Sequence, residues 1–232
     1  MQLSKILLYF GLAVSVVAQT KIKIMPLGDS ITEITCWRAL VWDMLVKENL
    51  ASKVDFVGTM SNNPASCRAH LGSFDLNHEG HSGWLSINIA NQYIQGWLST
   101  FKPDIVQFML GTNDVSNGRA TNDIVASYTK IIGLMRQSNP RMKIIVDQLI
   151  PLSYNMNGVN AVNAQIPNWA RSQNSTNSPI LLADCSTAAG YTLAMNKQDG
   201  VHPNEQGDQF IANKVGPLLI KHIKDLVKER GL

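Results

Sequence analysis

The sequence predicts one three-layer α/β/α domain of the flavodoxin-like type, with a five-stranded parallel sheet. Five short apolar runs rich in β-branched residues recur along the chain, as expected for strands buried on both faces. Helical patterns lie between the runs, and this alternation is typical of a parallel sheet with helices on both faces. A chain of 232 residues is long enough for one sizeable α/β domain and short for two.

The predicted strands, in chain order, are residues 22–27, 54–57, 104–110, 143–150 and 180–183. Apolar residues spaced three and four apart predict helices at residues 37–50, 87–98, 123–136, 162–171 and 205–228. Thr121 or Asn122 is the expected cap of the third helix. The last helix is expected to break at Gly216-Pro217. Residues 61–86 are rich in Asn, His, Gly and Ser and are predicted to form a long loop, which in a compact domain is more often functional than idle.

The first residues are typical of a signal peptide. A short basic start precedes the apolar residues 6–17, and Val16-Val17-Ala18 fits the small-residue rule for cleavage. We expect residues 1–18 to be removed, leaving one domain of residues 19–232 that is secreted and monomeric. The apolar stretch is shorter than the ~20 residues that span a bilayer, so no membrane partner is expected. The net charge of +3 indicates no nucleic-acid partner.

Secretion makes the three cysteines interpretable, since at most one intramolecular bridge can form. Cys36 and Cys67 are the preferred pair because both flank the same N-terminal segment. Cys185 ends an apolar run and is expected to be a free, buried thiol. Asn174 begins the one clear N-glycosylation sequon, in a stretch expected at the surface.

Polar blocks follow the predicted strands at the edge where open α/β sheets bind ligands. These blocks are Gly28-Asp29-Ser30, Gly80-His81-Ser82-Gly83-Trp84, Gly111-Thr112-Asn113-Asp114 and Asp199-Gly200-Val201-His202-Pro203.

Three side chains in these blocks have the chemistry of a hydrolytic triad. A serine hydroxyl such as that of Ser30 needs a base, His202 can serve as one, and a carboxylate such as Asp199 can orient the imidazole. The backbone N–H groups of Ser30 and Gly83 and the amide of Asn113 are candidate oxyanion donors. Each feature alone is commonly structural: a helix cap, a turn or a surface histidine. The spacing G-x-S-x-G is absent, which excludes an ordinary α/β-hydrolase nucleophile elbow.

In this order, the blocks GDSIT, GHSGW, GTND and DGVHP resemble the SGNH branch of the GDSL hydrolases. That family is named for Ser, Gly, Asn and His, matched here by Ser30, Gly83, Asn113 and His202. The resemblance implies ester hydrolysis through an acyl-serine, with Asp199 as partner of His202 and no cofactor. The stretches MPLGDSITEITCWRALVWDML and KPDIVQFMLGTNDV are further similar to carbohydrate esterase family 3, secreted enzymes that deacetylate xylan.

Several residues allow a functional or a structural interpretation. His70, His78, His81 and Glu79 suggest a metal, but their spacing is not HExxH, so we expect hydrogen bonds within the loop and no metal. Trp84 beside Gly83 is the candidate substrate-binding residue, whereas the other tryptophans are expected in the core. Asp29 and Asp114 are expected to fix loops through backbone hydrogen bonds.

Three functions compete. The first is a secreted esterase acting on acetylated polysaccharide, the second is a lipid or general short-chain acyl esterase, and the third is a carbohydrate-binding domain without catalysis. The third is disfavoured because all four blocks are intact. An apolar acyl channel would favour the second.

Overall fold

The computed structural model describes residues 21–232, so the predicted signal peptide lies outside the described residues. Six strands form one sheet: β1 Ile22–Gly28, β2 Val54–Phe56, β3 Glu79–Gly80, β4 Ile105–Met109, β5 Lys143–Asp147 and β6 Ile180–Ala183. Their order is β2–β1–β4–β5–β6, with β3 also paired to β1, and every pairing is parallel. The three-layer α/β prediction is therefore confirmed, and the strand count of five is one too few.

The missed strand, β3, lies inside the segment predicted as a loop. Its two residues pair with the carboxyl end of β1 at Leu27 and Gly28, while β2 pairs with the start of β1 at residues 22–24. Since β4 occupies the other edge of β1, β2 and β3 share one edge in succession. A strand of two polar or small residues has no apolar run, so periodicity could not reveal it.

Helices surround the sheet. They are α1 Ser30–Glu33, α2 Trp37–Lys47, α3 Ser86–Asn88, α4 Ile94–Phe101, α5 Thr112–Ser116, α6 Thr121–Ser138, α7 Met156–Gln173 and α8 Glu205–Arg230. A π-helical turn, Ile89–Tyr93, joins α3 to α4. Among the described residues, no helix is both long enough and apolar enough to cross a membrane.

Two expectations about helix ends are wrong. Helix α8 runs through Gly216-Pro217 without a break. Proline removes a single backbone donor, and packing holds the helix there, since a Cβ on Gly216 would lie 2.4 Å from the Met44 sulfur of α2. Helix α6 begins at Thr121 after Ala120, with no side-chain cap.

The hydrophobic core is built around the sheet. Strands β4 and β5 are buried along their whole lengths, as expected for parallel strands covered on both faces. Trp37, Trp42 and Trp169 are buried as predicted, whereas Trp97 is partly buried against the core. The carboxyl ends of β1, β3 and β4 lie side by side, and this edge carries the polar blocks.

Candidate active site

Ser30 is the first residue of α1, directly beyond β1. The Asp29 carboxylate caps the helix by accepting from Ile31 N–H at 2.9 Å. A Cβ on Gly28 would lie 2.1 Å from Thr32 Oγ1, so the tight strand-to-helix connection requires glycine. The Ser30 N–H is the first amide of a helix and has no intrahelical acceptor, which leaves it available to a ligand.

A chain of hydrogen bonds joins Ser30, His202 and Asp199. Ser30 Oγ lies 2.8 Å from His202 Nε2, and His202 Nδ1 lies 2.8 Å from Asp199 Oδ2. Because an ionised carboxylate can only accept, Nδ1 carries a proton and donates to it. In the neutral imidazole Nε2 is then free to accept from the serine hydroxyl, which is the tautomer a general base requires.

The loop from Asp199 to His202 is folded around its own carboxylate. Asp199 Oδ1 accepts from the N–H groups of Val201 and His202 at 2.8 and 2.9 Å. Burial alone would raise the pKa of Asp199, but the hydrogen bonds from His202 and Val201 lower it to about 2. Gly200 has φ +70° and its backbone touches Ser153, where a Cβ would lie 1.9 Å from the hydroxyl oxygen.

Gly83 lies in a turn fixed on both sides. Ser82 N–H donates to Glu33 Oε2 at 2.6 Å, and Trp84 N–H donates to His81 O at 3.2 Å. Gly83 itself has φ +81°, and its N–H donates to no atom of residues 21–232. A fixed backbone N–H without a partner can stabilise a developing negative charge.

Asn113 lies on the first turn of α5 and connects the two neighbouring blocks. Its Nδ2 donates to Asp29 Oδ2 at 3.2 Å and to Trp84 O at 3.1 Å. Both amide hydrogens therefore have acceptors, at distances near the long end of the normal range. An oxyanion at this position would share one of these hydrogens.

Asp29 and Asp114 fix backbone as predicted. Asp114 accepts from Ser86 N–H at 2.7 Å and from Ile87 N–H at 3.3 Å, which ties the start of α3 to α5. Burial raises the pKa of Asp29 to about 7, against the hydrogen bond from Ile31 and with a further increase from Asp114. Neither carboxylate contacts Ser30 Oγ or the His202 ring, so Asp199 is the carboxylate placed to orient His202.

Trp84 is partly buried in a cluster of four rings. Its indole stacks on His81 at 4.4 Å between centroids and contacts Tyr93 at 4.4 Å, and Trp97 lies 4.9 Å from His81 and 5.8 Å from Tyr93. The backbone oxygen of Trp84 accepts from the Asn113 amide, while the indole packs within the cluster of four rings. A direct role of Trp84 in substrate binding stays a prediction.

Two of the three histidines of residues 61–86 make hydrogen bonds inside the loop, whereas the backbone N–H of His70 donates to Asp43 of α2. His78 Nε2 donates to Asn62 O at 3.0 Å and Nδ1 accepts from Gly80 N–H at 3.0 Å. Burial, and secondarily the charge of Arg38, lower the pKa of His78 to about 4. His81 Nε2 lies 2.5 Å from the buried Glu79. Within residues 21–232, no group of three or more His, Cys, Asp or Glu could hold a metal ion.

Arg38 is a residue that sequence analysis missed. It is fully buried, and its guanidinium donates to the backbone oxygens of Thr32, Leu76 and Glu33 at 2.8–3.3 Å. It also reaches Asn62 O and Asn63 Oδ1 at 3.4 Å. Its spacing from Val41, Trp42 and Leu45 places it on the apolar face of α2, which is the signal that a search for buried charges could have used.

The predicted disulfide between Cys36 and Cys67 is present, and Cys185 is free and buried. The bridge joins the start of α2 to residues 61–86, the segment that carries Gly83. Asn174 is exposed, and its glycosylation stays a prediction.

The fold and the polar residues at the carboxyl ends of the strands define the class of protein. A model of the GDSL-like lipase/acylhydrolase family matches residues 27–210. The chain belongs to that family, and it is a carboxylic ester hydrolase.

Individual relatives show which kinds of esterase the chain resembles. The chain is 52% identical in sequence to an acetyl esterase mutant whose crystal structure contains an acetate ion. The match covers 88% of this chain and 99% of that one, with a TM-score of 0.86. The chain is 53% identical, with the same coverage and TM-score, to a carbohydrate esterase family 3 structure from Talaromyces cellulolyticus. It is 28% identical to a multidomain esterase of Ruminococcus flavefaciens, covering 89% of this chain and 29% of that protein. The chain thus spans less than a third of the multidomain relative.

Proposed function

We propose that this chain is a secreted serine esterase that removes O-acetyl groups from plant cell-wall polysaccharide, acetylated xylan in particular. The observation that carries the proposal is the hydrogen-bonded chain from Ser30 through His202 to Asp199. Similarity to an acetyl esterase with acetate ion and to a carbohydrate esterase of family 3 supports the acyl group and the substrate class. The signal-like residues 1–18 support secretion.

Acylation begins at Ser30. Its Oγ attacks the acetyl carbonyl while His202 Nε2 takes the hydroxyl proton, and the Asp199 carboxylate stabilises the imidazolium that forms. The depressed pKa of Asp199 keeps this carboxylate ionised throughout. His202 then gives the proton to the departing sugar oxygen, which leaves acetyl-Ser30 and a free hydroxyl on the sugar.

The oxyanion of the tetrahedral intermediate is stabilised by preorganised donors. The N–H groups of Ser30 and Gly83 supply two hydrogen bonds, and the Asn113 amide shares a third. Water then attacks acetyl-Ser30 with His202 as base, and acetate leaves as the serine is restored.

The test is the loss of turnover in Ser30→Ala and His202→Ala. Each is expected to lose at least about 10⁴-fold in kcat, and the double variant is expected to be little worse than either, because the two groups act as a unit. Ser82→Ala is the matched control, since Ser82 lies in the neighbouring block and is expected to be dispensable. A phosphonylating serine reagent should label Ser30 and not Ser82. Substantial activity in Ser30→Ala contradicts the mechanism.

Substrate class is tested separately. Rates on acetylated xylan are compared with rates on acetyl, butyryl and octanoyl chromogenic esters. Turnover of acetylated xylan with a steep fall from acetyl to octanoyl supports the proposal. Preference for octanoyl, with no acetate released from xylan, would favour a lipid or general acyl esterase.

A further inference from the structure

We infer that Tyr154 forms a subsite for the pyranose ring of the acetylated sugar, beside the proposed catalytic residues. This inference rests on the proposed function. Tyr154 follows β5 and belongs to none of the four blocks, so no motif pointed to it.

The backbone next to Tyr154 is joined to the loop of His202. Ser153 N–H donates to Gly200 O at 2.9 Å, and Gly200 lies between Asp199 and His202. The close approach of Gly200 to Ser153, which leaves no room for a Cβ, shows that the two segments are in tight contact. The position of Tyr154 is therefore set relative to the catalytic base.

The phenol of Tyr154 is joined to the helix of Asn113. Tyr154 Oη lies 2.9 Å from Ser116 Oγ, one turn beyond Asn113 in α5. Ser116 Oγ donates its own proton to Thr112 O at 3.0 Å, so Tyr154 is the donor in the contact with Ser116. The Tyr154 residue is thus held at its backbone and at its hydroxyl, between α5 and the loop of residues 199–202.

The ring itself is exposed. Tyr154 has a relative exposure of 63%, the largest among the exposed large apolar side chains of the described residues. It makes no aromatic pair with another described residue, whereas Tyr93 packs against two tryptophans. Single exposed apolar residues are ordinary, but this ring has no aromatic neighbour while the adjoining backbone and its hydroxyl are both held.

The chemistry of this surface fits a neutral sugar. The phenol donates to Ser116, so its ring face is what remains available to a ligand. An aromatic face offers a rigid, largely apolar contact at low entropic cost, which matches the C–H face of a pyranose ring. Such a contact would hold the sugar without taking part in bond breaking.

The experiment compares two substrates, an acetylated xylo-oligosaccharide and triacetin, which has no ring to stack. Tyr154→Ala is expected to raise KM about tenfold on the oligosaccharide, with kcat and the triacetin kcat/KM both within about twofold of wild type. Tyr154→Phe keeps the ring and is expected to stay near wild type. Leu71→Ala, which truncates another exposed apolar side chain, is the control and is expected to change neither substrate.

A second measurement does not need sugar-ester turnover. Deacetylated xylo-oligosaccharide should inhibit triacetin hydrolysis, with an inhibition constant about tenfold weaker in Tyr154→Ala than in wild type. If wild type cleaves triacetin but not the sugar ester, the proposed substrate is wrong, and the inhibition result still decides on the subsite. Equal losses on both substrates would assign Tyr154 to support of the His202 loop and overturn the inference. Unchanged KM and inhibition in Tyr154→Ala would overturn it as well.

Discussion

The loop that carries Asp199 and His202 and the loop that carries Gly83 approach Ser30 by different routes. The first is organised mainly by contacts within four residues, since one Asp199 oxygen binds two following N–H groups and the other binds the His202 ring, and Gly200 adds one contact with Ser153. We call residues 199–202 the base loop and residues 80–84 the oxyanion loop.

The oxyanion loop depends on partners far along the chain. Ser82 is held by Glu33, 49 residues away. Arg38 and the disulfide brace the segment before it through α1 and α2. A locally determined loop can lose a functional group and keep its shape, whereas a loop held by tertiary contacts loses shape and function together.

Asp199→Asn tests the local character of the base loop and should have the largest effect. Asparagine keeps an oxygen for the N–H groups of Val201 and His202 but replaces charge-assisted hydrogen bonds with neutral ones, so the free energy of unfolding should fall by about 1 kcal/mol. Loss of the carboxylate charge should lower kcat by about 10²–10⁴-fold, less than His202→Ala does. Asp184→Asn is the control, because Asp184 also accepts a backbone N–H two residues on but has no histidine partner. A large loss of stability in Asp199→Asn would contradict the local interpretation.

Arg38→Met tests the long-range character of the oxyanion loop. Methionine fills the space but leaves several buried carbonyl oxygens without donors, at an expected cost of about 3–5 kcal/mol in the free energy of unfolding. Urea denaturation measures it. Arg68→Met is the control, since Arg68 lies in the same segment but is exposed, and it should change stability little. Equal stability of the two variants would refute the bracing role of Arg38.

Asp29 accepts hydrogen bonds from Ile31 of α1 and Asn113 of α5, and its titration should make the free energy of unfolding depend on pH. Its folded pKa of about 7 lies above the ordinary value of about 3.9, so the native state keeps a proton that the unfolded state releases. The stabilisation is complete below about pH 4 and is lost as the pH rises through 7. Asp29→Asn should shrink the difference in unfolding free energy between pH 5 and pH 8 by about 2 kcal/mol. The exposed Asp123→Asn should leave that difference unchanged, and an unchanged difference in Asp29→Asn would contradict the prediction.

Gly83→Ala should have a small effect on stability. No atom lies within 4 Å of the added Cβ, so the cost is the left-handed conformation, about 1 kcal/mol. Gly118→Ala is matched, with φ +66° and open space, and should cost about the same. Only Gly83→Ala should lower kcat, since it displaces a proposed oxyanion donor. An equal fall in kcat in Gly83→Ala and Gly118→Ala would contradict the proposed role of Gly83 as an oxyanion donor.

The same contrast explains what sequence analysis could find. The spacing of Asp199 and His202 was sufficient to bring them together, because the contact lies within the four residues 199–202. The strands were found where apolar runs mark burial on both faces, and β3 was missed because pairing with β1, not composition, makes it a strand.

Residues that act through tertiary contacts were missed by sequence analysis. Arg38 shares a helix face with the apolar Val41, Trp42 and Leu45, but its carbonyl acceptors lie outside α2 and were not visible in the sequence. Tyr154 gains its place from Ser116 and from the backbone contact with Gly200, neither of which is near it in sequence. The unbroken α8 likewise depends on Met44, which fills the space beside Gly216.

The hydrogen bond between Ser30 and His202 joins residues 172 positions apart. Synthesis proceeds from the N-terminus, and domains form as units once their parts are available. The proposed nucleophile therefore emerges from the ribosome long before its base, and a nascent chain carries an inert serine until the base loop has been made. Contacts of such separation also slow folding. Recovery of esterase activity during refolding would therefore report the closure of one of the longest-range contacts in the molecule, rather than the formation of its helices.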